Sequence, residues 1–309
     1  MKSLRKLLAV TLSLVLVGAL FTGCGSSKTA SPGASTTKEN KKIGLVLSTL
    51  DNPFFVSIKA GATKKAKELG YELVVANSNN DSTKERSNVD DLVQQGIGLL
   101  IINPVDSAAV GNAIGVANDA KIPVMTVDRS ANSGKVICHI ASDNVAGGKM
   151  AADFILKKLG GKANIVELQG TPGASATLER GKGFHGAVDN KAGVKVVASQ
   201  SADFDRQKGL TVMENIIQST PNFNVVFSQN DEMALGAVKA LKAANKKVIV
   251  VGFDGGADAQ KAVATGSMTA TVAQQPELIG SMAVENAVKA LKGGTLPKTI
   301  PANLTLITK

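Results

Sequence analysis

Ile43-Gly44-Leu45-Val46-Leu47-Ser48-Thr49-Leu50-Asp51-Asn52-Pro53-Phe54-Phe55 decides the fold. Its first six residues are nearly continuous in hydrophobicity, the pattern of a strand covered on both faces. Asn52 stands where a side-chain oxygen can cap a helix, and Pro53 where a missing N–H costs nothing. The unit is a buried strand feeding a helix, and it recurs along the chain. Apolar runs at 43–48, 72–76, 99–102, 124–127, 136–141, 164–168, 194–199, 225–228, 248–252 and 268–273 alternate with helical patterns. Those patterns cover about 54–69, 83–95, 107–120, 144–159, 175–190, 206–219, 232–244, 257–265 and 276–292. The alternation predicts an α/β fold with doubly wound parallel sheets. Ten strands suit two five-stranded lobes better than one sheet, and 309 residues exceed what one core usually spans.

The strand-to-helix junctions beyond the first repeat its chemistry. They read Asn103-Pro104-Val105-Asp106, Asp128-Arg129, Ser142-Asp143-Asn144, Asp203-Phe204-Asp205, Gln229-Asn230-Asp231 and Phe253-Asp254-Gly255. Ligands of doubly wound sheets bind beyond the carboxyl ends of the strands, and every junction named lies at such an end. Planar polar side chains therefore gather on one rim of each lobe.

The amino terminus sets the compartment. Lys2, Arg5 and Lys6 precede an apolar stretch from Leu7 to Phe21 that ends at Thr22-Gly23-Cys24. This reads as a signal peptide over residues 1–23, too short and wrongly flanked for a spanning helix. Cys24 after small residues resembles a lipoprotein signal, with Phe21 where a branched aliphatic residue is usual; a plain secretory peptide is the alternative. Residues 25–40 hold no large apolar residue, so 24–40 reads as a flexible tether. The chain is expected to be extracytoplasmic and held to the cell membrane by lipid on Cys24.

Composition excludes several classes. The net charge is +10, but the lysines are spread singly along helical segments such as 59–67 and 239–247. Aromatic residues make up 3 %, with no Trp and one Tyr, so no basic cluster interleaves with stacking rings and nucleic acid is not an expected partner. Two Cys and two His make neither a disulfide framework nor a His-rich metal site, and no metal or cofactor is expected. Cys138, within an apolar run, reads as a buried structural cysteine.

Enzyme motifs are missing as well. No GxGxxG follows a strand, and neither a GxxxxGK[ST] loop nor a G-x-S-x-G elbow occurs. Glu167-Leu168-Gln169-Gly170-Thr171-Pro172-Gly173-Ala174-Ser175 bears glycines without phosphate-binding spacing. His139 lies in a strand pattern and His185 on a helix, neither beside a nucleophile in sequence. Paired carboxylates for glycoside hydrolysis stay open, because their separation is a tertiary quantity. The chain is not expected to be an enzyme.

A neutral polyol fits the rims better. Vicinal hydroxyls are bridged by the fork-shaped groups of Asn, Asp, Gln and Arg. Sugar C–H faces need aromatic faces in a dry cleft. Arg129 and Arg180, two of only five arginines, lie at or beside junctions, and four of nine Phe (Phe54, Phe55, Phe204, Phe253) sit at the predicted rims. Plainer readings run alongside. Asp143, Asp205 and Asp231 read as helix caps, as Asn52 can. Asp128 can simply pair with Arg129, and Phe54 and Phe55 can staple the next turn.

The junction motifs resemble those of the ribose-binding proteins of bacterial ABC importers, within the class I periplasmic binding proteins. Ser48 to Phe55, Ile102-Asn103-Pro104, Asp128-Arg129, His139 to Asn144, Glu179-Arg180-Gly181, Ala202 to Asp205, Gln229 to Gly236 and Val251 to Gly255 carry the resemblance, which runs from about 42 to 309. It implies two Rossmann-like lobes with parallel sheets joined by a three-stranded hinge. The N-terminal lobe would hold 41–142 plus 275–303, and the C-terminal lobe 143–274 plus 304–309. It implies a monomeric solute-binding lipoprotein that closes on D-ribose in the interlobe cleft and delivers it to a membrane permease and its ATPase. By the same likeness Phe54, Phe55 and Phe204 would pack on the ring and Phe253 would line the pocket. Asn52, Asn103, Asp128, Arg129, Arg180, Asn230, Asp254 and Gln274 would bond the hydroxyls. Asp51 stands where Asn is familiar. The alternatives are another monosaccharide (allose, xylose, galactose or a furanose signal) and, remotely, a repressor-type effector domain. The latter needs a helix-turn-helix where this chain has a signal peptide and tether.

Overall fold

The computed structural model describes residues 40–309. The expected signal peptide (1–23), lipidation at Cys24 and all but the last residue of the tether lie outside the described residues. The chain runs β1 (Lys42–Leu47), α1 (Pro53–Leu69), β2 (Glu72–Asn77), α2 (Ser82–Gln94), β3 (Leu99–Ile102), α3 (Gly111–Asp119), β4 (Val124–Val127) and β5 (Cys138–Ser142). It continues through α4 (Asn144–Leu159), β6 (Ala163–Gln169), α5 (Ser175–Val188), β7 (Val194–Ser201), α6 (Arg206–Ser219), β8 (Val225–Ser228) and α7 (Asp231–Ala243). It ends with β9 (Ile249–Asp254), α8 (Ala257–Thr265), β10 (Ala270–Ala273), α9 (Pro276–Leu291), β11 (Thr299–Ala302) and β12 (Thr305–Thr308).

Two six-stranded sheets result, ordered β11-β5-β4-β3-β1-β2 and β12-β10-β9-β8-β6-β7. Every pairing is parallel except β12 against β10. The expectation of five strands per lobe is therefore corrected to six. The added strands, Thr-Ile-Pro-Ala and Thr-Leu-Ile-Thr, are short and mostly half-exposed or exposed, so they lack the buried-strand pattern. Each is an edge strand, where the proline of β11 is tolerated.

Each sheet is covered on both faces, as the apolar runs require. In β1, Ile43, Leu45 and Leu47 enter one core cluster and Val46 the other. In β8, Val225 and Phe227 face one cluster and Val226 the other. The covering helices pair closely: α1 with α9, α4 with α5, α6 with α7. Each pair meets at reciprocal glycines, Gly61 and Gly280, Gly148 and Gly183, Gly209 and Gly236, where a Cβ would run into the facing backbone.

The chain passes between the sheets three times, from β5 into α4, from β10 into α9, and from β11 into β12. The first-turn chemistry is largely as expected. Asn52 Oδ1 accepts from Phe54 N at 2.9 Å, Asp143 caps α4 and Asp205 caps α6. Asp231 is the exception. Asn230 caps α7, bonding Met233 N at 2.9 Å, while the Asp231 carboxylate accepts from the Thr271 hydroxyl at 2.7 Å and Gly256 N at 2.8 Å. The helix expected from 107 starts at Gly111 instead. Asp106 Oδ1 accepts from Ala108 N and Ala109 N at 2.8 and 2.7 Å, which holds 107–110 as a turn.

Candidate functional site

Between the carboxyl ends of the two sheets lies a narrow pocket. The first lobe contributes Phe54, Phe55, Asp128 and Arg129; the second contributes Ala176, Arg180, Phe204 and Asp254. Seven of these eight are residues expected at the site. Asn52 lies at its edge, lining the cavities on either side, and Asp51 faces the outer one.

The α1 cap delivers the first two rings. Phe54 and Phe55 meet edge to face with centroids 5.3 Å apart. After β4 the chain turns through Asp128 at φ 60, which aims Arg129 into the pocket. Arg129 Nη1 donates to Pro104 O and Val105 O at 3.1 and 3.3 Å, and its Nε lies 3.8 Å from Asp128 Oδ2. Burial lowers the pKa of this guanidinium, and the Asp128 charge opposes that shift.

The second lobe mirrors this arrangement. Arg180 on α5 donates from Nε to Asn144 Oδ1 at 2.8 Å and from Nη1 to Gln229 O at 2.6 Å. Its Nη1 lies 3.4 Å from Asp254 Oδ1, and its guanidinium stacks 3.8 Å over the Phe253 ring. Both arginines approach the Phe204 ring, Arg129 at 5.4 Å and Arg180 at 5.7 Å from its centroid. Burial pushes the Asp254 carboxyl up to about 7, against the pull of Arg180 and the Gln274 hydrogen bond.

Four expected residues stand one layer back. Asn103 donates to Asp128 Oδ2 at 3.0 Å and to Val127 O at 3.1 Å. Asn230 donates to Phe204 O at 3.2 Å, and Gln274 donates to Asp254 Oδ1 at 2.9 Å. Phe253 lies inside β9 and is fully buried beneath Arg180, rather than on the rim that sequence suggested. Its placement shows that the strand runs two residues further than the apolar pattern.

Two buried polar atoms of this assembly make no hydrogen bond, Arg129 Nε and Gln274 Oε1, one donor and one acceptor from opposite lobes. The pocket and the residues around it thus offer guanidinium donors, carboxylate and amide acceptors and aromatic faces, with both lobes supplying each kind. That set matches a small neutral polyol. The histidines lie elsewhere. His139 Nδ1 shares a 2.9 Å hydrogen bond with the Thr126 hydroxyl, and burial lowers its pKa. Burial works against protonation of His185, but Asp189 and Glu167 outweigh it and raise its pKa.

Three residues of this region were not legible as such. Ala176 lines the pocket with nothing in its type to announce it. Asp231 read as a cap, and Glu85, buried behind Val105, lay unremarked in the helical pattern at 83–95. Backbone geometry was equally hidden: Phe204 at φ 59 and Asp254 at φ 116 join Asp128 in conformations that L residues rarely adopt. Strain of this kind, about 1–3 kcal/mol at each, persists where surrounding structure enforces it and clusters at binding sites.

A family model described as a periplasmic binding protein domain matches residues 43–295. The chain is 52 % identical to the ribose import binding protein RbsB of Haemophilus influenzae, over 99 % of this chain and 100 % of that one. It is 55 % identical to the protein of the same name from Escherichia coli K12, over 86 % and 90 %. Among solved structures, a Caulobacter myo-inositol binding protein bound to myo-inositol superposes with a TM-score of 0.84 at 33 % identity, covering 88 % of this chain and 94 % of that one.

Proposed function

The chain belongs to the periplasmic binding protein family, and from that premise we propose that it is the solute-binding component of a sugar ABC importer, taking D-ribose into the pocket between its lobes. The observation that carries this is the approach of Arg129 and Arg180, from opposite lobes, to one Phe204 ring, each with a carboxylate beside it. The ribose import names of relatives at 52 and 55 % identity support the choice of sugar. Asn52, Asn103, Asn230, Phe253 and Gln274 complete the site, the last four through the residues they hold.

The mechanism follows from the two-lobe supply of contacts. A sugar that bonds both rims favours the arrangement in which they face each other, so binding and closure are one equilibrium. The closed form is the one a permease and its ATPase would receive. The lobes of this reading are 41–142 plus 275–303 and 143–274 plus 304–309. The protein acts as a monomer outside the cytoplasm, anchored by lipid on Cys24, and binds its sugar without altering it.

Titration calorimetry with ribose, allose, xylose, galactose and arabinose tests the assignment. Ribose is expected to bind tightest. Arg129→Ala and Arg180→Ala each remove a charge-assisted donor worth roughly 1.5–3 kcal/mol, so affinity should fall at least ~10-fold. Tight binding of another sugar with none of ribose removes ribose; undiminished ribose binding by both variants removes the site.

A further inference from the structure

We propose that Ser107, Ser130 and Ser175 are positioning residues: they form a seam between the lobes that favours the closed arrangement in which Arg129 and Arg180 face one pocket, and so tune affinity without touching the ligand. The proposal rests on the sugar-binding reading above. Three hydrogen bonds join the lobes here. Ser130 N donates to Ser175 Oγ at 2.9 Å, Ser175 N donates to Ser107 Oγ at 3.0 Å, and Ser107 N donates to Gly173 O at 3.1 Å. Ser107 and Ser130 belong to the first lobe, Gly173 and Ser175 to the second. None of the four lines the pocket.

The backbone they tie is the backbone that carries the arginines. Ser130 follows Arg129 directly, and Ser175 opens α5, the helix of Arg180. That helix has no side-chain cap of its own, since Ala174 occupies the capping position. A helix start leaves its first N–H groups without intrahelical partners. One of these, Ser175 N, finds its acceptor across the cleft on Ser107. The cap of α5 is therefore supplied by the opposite lobe and exists only while the lobes meet.

Gly173 shows how close the approach is. Its φ is +83, and a Cβ there would run into the Asp106 carboxylate of the first lobe. The stretch 167–175, whose glycines lack phosphate-binding spacing, thus has a different use: its glycine and serine let the second lobe seat on the turn at 107–110. Ser107 and Ser175 are both buried, at 1 % and 6 % exposure, so these bonds compete little with water.

Because the seam is made whichever sugar lies in the pocket, it raises the fraction of closed molecules rather than the intrinsic fit. Apparent affinity scales with that fraction, so removing the seam weakens every ligand by one common factor. In the full chain, Ser107→Ala with Ser175→Ala should weaken each sugar that binds by about 10-fold. The loss should appear in the dissociation rate, with the ranking of sugars unchanged. Small-angle scattering of the ligand-free double variant should show a larger radius of gyration than wild type, and its thermal midpoint should stay within a few degrees. Unchanged affinity and scattering overturn the seam. So does a factor that differs between sugars, which would place the serines at the ligand. A wild-type chain that binds no sugar would defeat the functional reading alone, and the scattering comparison would still decide the seam.

Discussion

Glu85 shows how a residue far from the rim enters the site. It is fully buried, with Oε1 accepting from Val105 N at 2.7 Å and Oε2 without a partner. The same Val105 carbonyl, with that of Pro104, holds Arg129. Burial pushes the Glu85 carboxyl up to about 7. Between the ordinary carboxylate range and that value, the folded chain holds a proton that the unfolded chain has released. Stability must fall as pH rises through this window, and the cost is fully present above about 7. Asp254 and Asp231 contribute with the same sign. Glu85→Gln removes one such contribution. The stability difference between variant and wild type should therefore shift in the variant's favour by roughly 2–3 kcal/mol between pH 5 and pH 8. Urea midpoints at the two pH values measure it, and a pH-independent difference would show that Glu85 does not titrate in this window.

Two glycines of the α4–α5 pair make opposite predictions. Gly148 of α4 and Gly183 of α5 let these helices touch backbone to backbone; a Cβ on Gly148 would strike the carbonyl of Arg180 itself. Gly148→Ala should cost about 1–3 kcal/mol by overpacking and, by displacing Arg180, weaken sugar binding too. Gly186, in the same helix as Gly183, has nothing within 4 Å of where its Cβ would stand. Gly186→Ala should stabilise by roughly 0.5–1 kcal/mol through backbone entropy, with affinity unaltered. Denaturant unfolding and calorimetry on both variants check the contrast. Equal effects would mean that helix propensity, not the α4–α5 approach, governs this pair. The element-level misreadings have the same origin. The start of α3 moved because Asp106 turned its carboxylate onto Ala108 and Ala109, and Asp231 gave up capping because Thr271 and Gly256 lie against it.

Taken together, the binding unit and the proposed anchor are separable parts. All contacts of the pocket and seam lie between residues 52 and 274. Among the described residues no helix is long and apolar enough to cross a membrane; Cys24, where the lipid is proposed, lies outside them. Acyl chains add about 0.8 kcal/mol per buried CH₂, enough for stable anchoring when more than one is present. Cys24→Ser should move the protein from the membrane fraction to the soluble fraction while its sugar affinity stays within twofold. Persistence in the membrane fraction would refute the lipid anchor, and a large affinity change would mean that the tether is part of the site.

Sequence by itself determined the α/β class, the strand–helix alternation, and the junctions at or beside which Arg129, Arg180, Phe204 and Asp254 stand. It could do so because burial on both faces and first-turn capping are local patterns, written in residue types a few positions apart. Tertiary structure alone decided which of those residues face one pocket and which stand behind it, that Asp128, Phe204 and Asp254 take left-handed or rarer backbone, and that α5 is capped by a serine of the other lobe. These are contacts between segments tens of residues apart, and no local pattern encodes whether Ser107 will lie beside Ser175.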